Sequence, residues 1–528
     1  MKLLLAATAL IAGFAGTVMA ADFQTIGTLG IGGAGVARDM GAYAPYWNPA
    51  GLAFATKSFS TTVGAGAGFR VSGGLADNVD RLSKFTDGNP SVLDDLKGLN
   101  TTVANPQKLG EIVNLLTVLK DVSVQKGTLS LNLDSSAGFQ IKQYGFGFFM
   151  LSEGLGRILG DFDPATGNLR NILPVDTAGN TITAASLVTL SGTPATTQTY
   201  FDSQQVTRLS TALTGMGITA PGQQTNVINA LGNSLSSPTN TTIRPISSAQ
   251  ATDSFVNTLT PAINSAAANP TNNLNNNQTA VMIKNVIFTE IPVSYGHAIE
   301  LGAYGKLGVG GSLKVVNGRV YQTRIRLTEN GESVTSSDIV NGFKENFEQS
   351  TNVTFDLGTQ WKYSDMLTVG LVAKNLTSPA FKSPELKDQK GRLVDSNGNI
   401  GVSFREGDVK LKPQVRLGLA ITPLPWLALA SDIDLTENQS ILSGADFKNR
   451  HFGGGVELSP LDWAKFRGGM YDNLANSGIG PVATAGLTLG IPRVLFEIDG
   501  AYGLGSSRYK EASYPRETRL QAQFVLQF

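Results

Sequence analysis

Hydrophobic and polar positions alternate strictly near the end of the chain. Leu520, Ala522, Phe524, Leu526 and Phe528 fall on one face of a strand; Arg519, Gln521, Gln523 and Gln527 fall on the other, with Val525 the apolar exception. The same two-residue period marks about fourteen strands: near 58–72, 128–142, 143–154, 286–300, 304–327, 351–363, 366–376, 412–422, 426–436, 450–458, 463–472, 480–490, 493–504 and 517–528. Pairs of these meet at tight turns such as Lys362–Asp365, Thr422–Pro425, Ser459–Asp462 and Gly490–Pro492, and the intervening connections are longer. Short turns alternating with long loops predict an all-β membrane protein, a 14-stranded antiparallel transmembrane β-barrel. An even count places both barrel ends on the periplasmic side. The last strand is then expected to pair with the strand near Phe59, with Phe528 at the periplasmic rim.

Residues 1–20 read as a secretory signal: Lys2, an apolar run from Leu3, then Val18-Met19-Ala20 before the cleavage site. Beyond them no apolar run is long enough for a membrane helix. Mean hydropathy is 0.00, charged residues make up only 16%, and there are 60 glycines, which suits strands that are apolar outside and small or polar inside. Short strands at regular spacing also fit a soluble β-sandwich, but the signal and the turn asymmetry weigh against one. With no cysteine, disulfides and thiolate chemistry are excluded. The 41 basic and 41 acidic residues balance, and nothing points to a nucleic-acid partner.

Several charges sit on the polar face of later strands: Asp432, Asp434, Glu457, Lys465, Arg467, Glu497 and Asp499. A charge facing lipid at mid-depth costs ~2–4 kcal/mol, so these are expected in the lumen, bracing it through ion pairs or lining a path. Pro292 lies inside the fourth strand pattern, where it marks either a kink in the wall or a strand that begins after it. The inserts 73–127 and 155–284 are expected outside the cell. They carry amphipathic helix patterns at Leu109, Ile112, Leu116 and Leu119; at Val227, Ile228, Leu231 and Leu235; and at Phe255, Leu259 and Ile263. Those faces either pack together as a cap or form an apolar capture groove. Residues 219–280, rich in Thr, Asn, Ser, Ala and Pro, read as a solvated surface loop.

Residues 21–56 precede the barrel and do not read as a strand. Gly30, Gly32 and Gly35 match the GxGxxG spacing, but a dinucleotide site needs a strand before it and a βαβ unit around it. A glycine-rich segment entering from the periplasmic end is instead a natural plug for a bore of this size. Only His297 and His451 are available as histidine bases; neither has a flanking catalytic motif, and both read as surface residues. No enzyme, metal site or cofactor is expected.

The block Gly33-Ala34-Gly35-Val36-Ala37, followed by Tyr46-Trp47-Asn48-Pro49-Ala50-Gly51-Leu52, resembles the N-terminal hatch of the FadL-type outer-membrane transporter superfamily. The closer likeness is to its TraF-like subgroup, labelled conjugal transfer protein TraF. The resemblance implies fourteen strands, a hatch containing Gly33, Gly35, Asn48, Pro49 and Ala50, and a lateral wall gap at a kinked early strand. It also implies that outer-membrane insertion machinery reads Phe528. For function it implies passive passage of hydrophobic small molecules such as fatty acids or aromatics, in a bacterial outer membrane whose lipid surrounds the barrel. The TraF label implies instead a structural or assembly component of an envelope machine, in conjugation or secretion.

Overall fold

The computed structural model describes residues 24–86, 92–124, 127–162, 168–194, 196–236, 246–326, 346–439, 441, 448–509 and 512–528. The expected signal at 1–20 and the first residues of the expected hatch lie outside them. Fourteen strands close an antiparallel barrel: β1 (Phe59–Val71), β2 (Leu129–Ile141), β3 (Tyr144–Leu159), β4 (Ala280–Glu300), β5 (Lys306–Arg326), β6 (Phe347–Lys362), β7 (Leu367–Lys374), β10 (Gln414–Leu424), β11 (Leu427–Asp434), β14 (His451–Leu461), β15 (Ala464–Asn473), β16 (Val482–Ile491), β17 (Val494–Gly503) and β20 (Glu517–Gln527). Among the described residues three small two-stranded sheets lie in the long connections: β8 (Ala380–Phe381) with β9 (Val409–Lys410), β12 (Asn438–Gln439) with β13 (Lys448–Asn449), and β18 (Ser506–Tyr509) with β19 (Ala512–Pro515). β20 closes on β1 with Val63 opposite Phe524 and Gly66 opposite Gln521, and the Phe528 amide donates to the Phe59 carbonyl at 2.8 Å. Closure removes the free edges that an open sheet would expose.

The outer face of the wall is apolar. Val63, Phe139, Val293, Leu313, Phe355 and Phe524 are all exposed there. Trp361, Trp426, Trp463, Tyr144, Tyr295 and Tyr304 gather at the short-turn rim, as an interfacial aromatic belt does. The chain's fourth tryptophan, Trp47, is fully buried in the bore. Among the described residues no helix is long and apolar enough to cross a membrane.

β4 and β5 each run 21 residues, about twice what a tilted strand needs to cross a bilayer. Their upper halves share one hydrophobic core with the helices of the two large inserts. The expected insert 155–284 is therefore shorter, because β3 continues to Leu159 and β4 begins at Ala280. Above the bilayer both faces of these strands are covered. Leu155, Ile158, Ile283 and Val286 are all buried, so the alternation that marks a half-exposed strand fades. The expected loop at 219–280 is also corrected. Helices span Pro221–Ser236, Ser248–Ser254 and Thr260–Ala268, and Asn273, Leu274 and Asn277 are buried. Its polar residues supply caps: the Ser247 hydroxyl accepts from the Gln250 amide in a capping box. Leu109, Ile112, Leu116, Val227, Leu231, Phe255, Leu259 and Ile263 share one core. The amphipathic faces are thus used in closing a cap, not in lining an open groove.

Candidate functional site

The segment from Gln24 to Thr56 fills the barrel as a chain of single turns: Leu29–Ile31, Gly41–Tyr43, Ala44–Trp47 and Pro49–Phe54. Glycine sets its tightest points. Gly32 has φ 67°, and a side chain there would run into the backbone of Met470 and Gly454 on the wall. Gly30, Gly32 and Gly35 therefore serve close packing, with Gly35 lying against the Trp47 indole.

The wall answers with its own glycines. Gly138, Gly296, Gly310, Gly358, Gly370, Gly418, Gly453 and Gly469 lie on eight different strands. Each lies where a side chain would collide with the segment or crowd it. At Gly310 it would meet Pro49, at Gly358 Asn48, at Gly370 the Val36 carbonyl, and at Gly453 the Gly32 carbonyl. Glycine in a strand often marks close approach of another backbone. The count of 60 held that signal, but not which glycines form the ring.

Hydrogen bonds reach across this contact. Asn48 donates from Nδ2 to the carbonyls of Val36 (3.0 Å) and Thr359 (3.1 Å), while its Oδ1 accepts from the Ala50 amide at 3.1 Å. Pro49 and Ala50 continue into the turn that faces β4, β5 and β6. Asp432 accepts the amides of Gly35 (2.8 Å) and Val36 (3.0 Å), and Gln360 donates to the Val36 carbonyl at 2.8 Å. His451 is not a surface residue: only 8% exposed, its Nε2 lies 3.1 Å from the Gly32 carbonyl. Gly33 lies beside the same imidazole. His297 is exposed on the outer face of β4. Replacing Asn48 by Asp removes the Nδ2 donor while leaving the acceptor. The expected cost is about 1–3 kcal/mol of attachment, and limited proteolysis of N48D should cut within 24–56 faster than in wild type. Equal cleavage rates would refute the role given to Asn48.

The charged lumen is organised into separate networks. Arg467 bonds Glu457 (2.9 Å), Glu497 (2.9 Å), Asp499 (3.0 Å) and the Thr488 hydroxyl (2.6 Å). Arg38 of the segment joins at Glu457 (2.8 Å), and Lys465 lies 3.8 Å from the same carboxylate. Asp434 takes both arms of Arg416 at 2.6 and 3.1 Å. Lys314 lies 3.2 Å from Glu290 and 3.0 Å from Asp356. The sequence reading missed Arg416, Lys314, Glu290 and Asp356, although each alternates with apolar neighbours as the seven named charges do.

One sector is dry. Ile26, Val36, Tyr43, Tyr46 and Trp47 pack with Phe149, Leu151 and Val372 of the wall. Tyr46 and Phe149 have ring centroids 5.1 Å apart, and the Lys374 ammonium sits 3.7 Å above the Tyr46 ring. Tyr46 donates to the Gln24 carbonyl at 3.1 Å, and the Tyr43 and Ser136 hydroxyls share a hydrogen bond of 2.7 Å. Behind Phe149 the β3–β4 ladder runs to Phe146 opposite Val293 and resumes at Phe149 opposite Glu290. Gly147 and Phe148 have no ladder partner there, facing Pro292 and Ile291. β4 runs straight through Pro292, so the strand does not begin after it; proline simply lacks the N–H.

Both ends of the bore are distinct. At the short-turn end a cavity of about 430 Å³ is lined by Arg38, Lys57, Lys362, Lys465 and Arg467 together with Asp39, Asp365, Glu457 and Glu497. At the other end the connection 375–413 folds inward. Phe381 packs on Gly318 and Phe288, and Lys284 pairs with Glu406 at 2.5 Å with both side chains 0% exposed. Among the described residues no group of three or more His, Asp or Glu side chains could hold a metal.

The family described as "F plasmid transfer operon, TraF, protein" matches residues 45–434. No curated protein matches the chain. Among solved structures, the Ralstonia pickettii toluene transporter TbuX aligns over 98% of this chain and 99% of its own, at 12% identity and a TM-score of 0.41. The P. putida toluene transporter TodX aligns over 98% and 99%, at 11% identity and 0.41. A Pseudomonas aeruginosa FadL homologue aligns over 98% and 99%, at 11% identity and 0.36.

Proposed function

The chain belongs to the F plasmid transfer operon TraF protein family, and within it we propose a passive channel for hydrophobic small molecules in the bacterial outer membrane. The observation that carries this reading is the dry sector beside the interrupted ladder. Elsewhere ion pairs, amides and glycine dominate the bore, beside two smaller apolar contacts, Leu29 with Tyr471, Ile479 and Val482, and Ile31 with Ala430. Along Trp47, Tyr46 and Phe149 a larger apolar surface leads to the wall, and it ends where Gly147 and Phe148 face Pro292 and Ile291 without ladder bonds to β4. On the outside of that gap stand Phe146, Phe148, Ile291 and Val293, all exposed to the bilayer. An apolar molecule leaving sideways gains ~25 cal/mol per Å² of surface removed from water, passing the Lys374 ammonium over Tyr46 and Glu290 opposite Phe149. Residues 24–56 act as the hatch, whose shift at Tyr46 opens the gap. The signal at 1–20 directs export.

Replacing Pro292 by Val supplies the missing N–H and a strand-favouring side chain. Cells producing P292V should take up labelled oleate or toluene severalfold more slowly than cells producing the wild type. Equal uptake by the two, or no uptake of either probe by the wild type, would overturn the reading.

One observation favours the assembly role. The inserts bury their apolar faces in a single closed core over the barrel, as a docking platform would. That role predicts a protein cross-linked to the cap in intact cells, with uptake indifferent to P292V.

A further inference from the structure

The outer wall carries almost no charge. On the outward positions of the fourteen barrel strands stand one basic side chain of the Arg and Lys type, Arg319 of β5, and one acidic one, Asp472 of β15, six strands away. The other Arg, Lys, Asp and Glu residues of these strands fall on the inward positions of the two-residue period.

Arg319 is exposed but held in place. Its Nε donates to Gln349 Oε1 of β6 at 2.8 Å, and its guanidinium lies 5.9 Å from the centre of the Phe347 ring, which packs on Tyr321. Among the described residues neither Nη atom donates to anything. Glu348, the next acid along β6, faces inward and lies 3.5 Å from Arg405 instead. The result is a fixed cation whose outer edge, with its paired N–H groups, is free.

The height of this site decides what meets it. Gln349 stands twelve residues up β6 from Trp361 of the aromatic rim. At ~3.3 Å per residue and a tilt of ~40° that rise is ~30 Å, the thickness of the hydrocarbon core. Below Arg319 the outer face is a column of exposed apolar side chains, Leu313 and Val315 of β5 beside Phe355 and Val353 of β6. Between column and arginine, Asn317 donates to Thr351 at 2.8 Å, where the wall turns polar. A free guanidinium edge takes a phosphate through two parallel N–H bonds, and the column beneath it accepts acyl chains. An acidic peptide would answer the charge and leave the column unused; a phosphorylated lipid answers both.

We propose that Arg319, oriented by Gln349 and Phe347, docks the phosphate of a glycolipid in the leaflet away from the short-turn rim, with its acyl chains on the β5–β6 column. The proposal rests on the outer-membrane placement above and not on hydrophobic passage. Bisphosphorylated lipid A is the probe. In native mass spectra the full chain purified in detergent should retain it, and R319Q should retain severalfold less. Arg319 lies outside every lumenal network, so R319Q should keep the gel mobility of the unheated wild type. Arg405 is a cation half exposed on the same side of the barrel, and R405Q should bind like the wild type. Dephosphorylated lipid A should be retained equally by wild type and R319Q. Equal retention of bisphosphorylated lipid A by wild type and R319Q would overturn the proposal. So would an equal loss in R405Q, or phosphatidylglycerol held by the wild type as tightly as lipid A. Uptake of oleate or toluene does not enter this readout, so failure of either reading leaves the other standing.

Discussion

Gly358→Leu is expected to unplug the barrel while leaving it folded. The wild type should be electrically quiet in a planar bilayer, with no large pore. In G358L the new side chain occupies the place of the Asn48 amide, and Pro49 Cδ lies 3.1 Å from its Cβ. Asn48 then loses its bonds to Thr359 and Val36, and the turn at Pro49–Phe54 cannot seat against β4, β5 and β6. The strand itself is not harmed, because its outer face and its ladder with β5 and β7 are untouched. The expected result is steady, large conductance from a barrel of normal gel mobility. Gly311→Leu is the matched control: on the lipid face of β5, its nearest atoms lie 3.6 Å away, so a side chain fits. G311L should stay closed. A closed G358L would show that the glycine ring does not decide whether the segment seats.

Arg467→Met should be the most destabilising single change in the lumen. Arg467 answers three carboxylates at once, all buried. Its removal leaves Glu497 and Asp499 without an ion-pair partner, and Glu457 with only Arg38 and the distant Lys465. Breaking a buried pair from one side costs about 3–5 kcal/mol, and here three acids share one cation. R467M should unfold at much lower urea than the wild type in detergent micelles, or fail to reach the folded form. The triple neutral variant E457Q/E497Q/D499N in the R467M background should recover most of the loss, because the uncompensated charges then vanish. If R467M matched the wild type, the network would be ornamental.

Much of the barrel was legible because a strand declares its faces locally. All fourteen barrel strands carry alternation that survives without knowledge of any neighbour, and short turns at residues such as Pro460 and Pro492 set which ends face the same way. Legibility failed where burial became two-sided. The upper parts of β3 and β4 lose alternation beneath the cap, and the polar helices after residue 219 look like loop because their capping residues are Ser, Thr and Asn. The candidate site was half visible. The inward face of Asp432, Asp434, Glu457 and Arg467 follows from period two, but their partners do not. Nothing near His451 in the chain hints at its contact with Gly32.

By itself the sequence determined how many strands cross, which residues face lipid, and that a glycine-rich segment precedes them. Each of these is a property of a short stretch read against water and lipid. Only the tertiary structure decided that Arg38 reaches Glu457, 419 positions away, that Arg416 holds Asp434, and that eight wall glycines shape one seat. Those contacts depend on closure. Until β20 meets β1, no single stretch of chain contains the bore, and the charges, glycines and dry sector that define it belong to strands that are strangers in sequence.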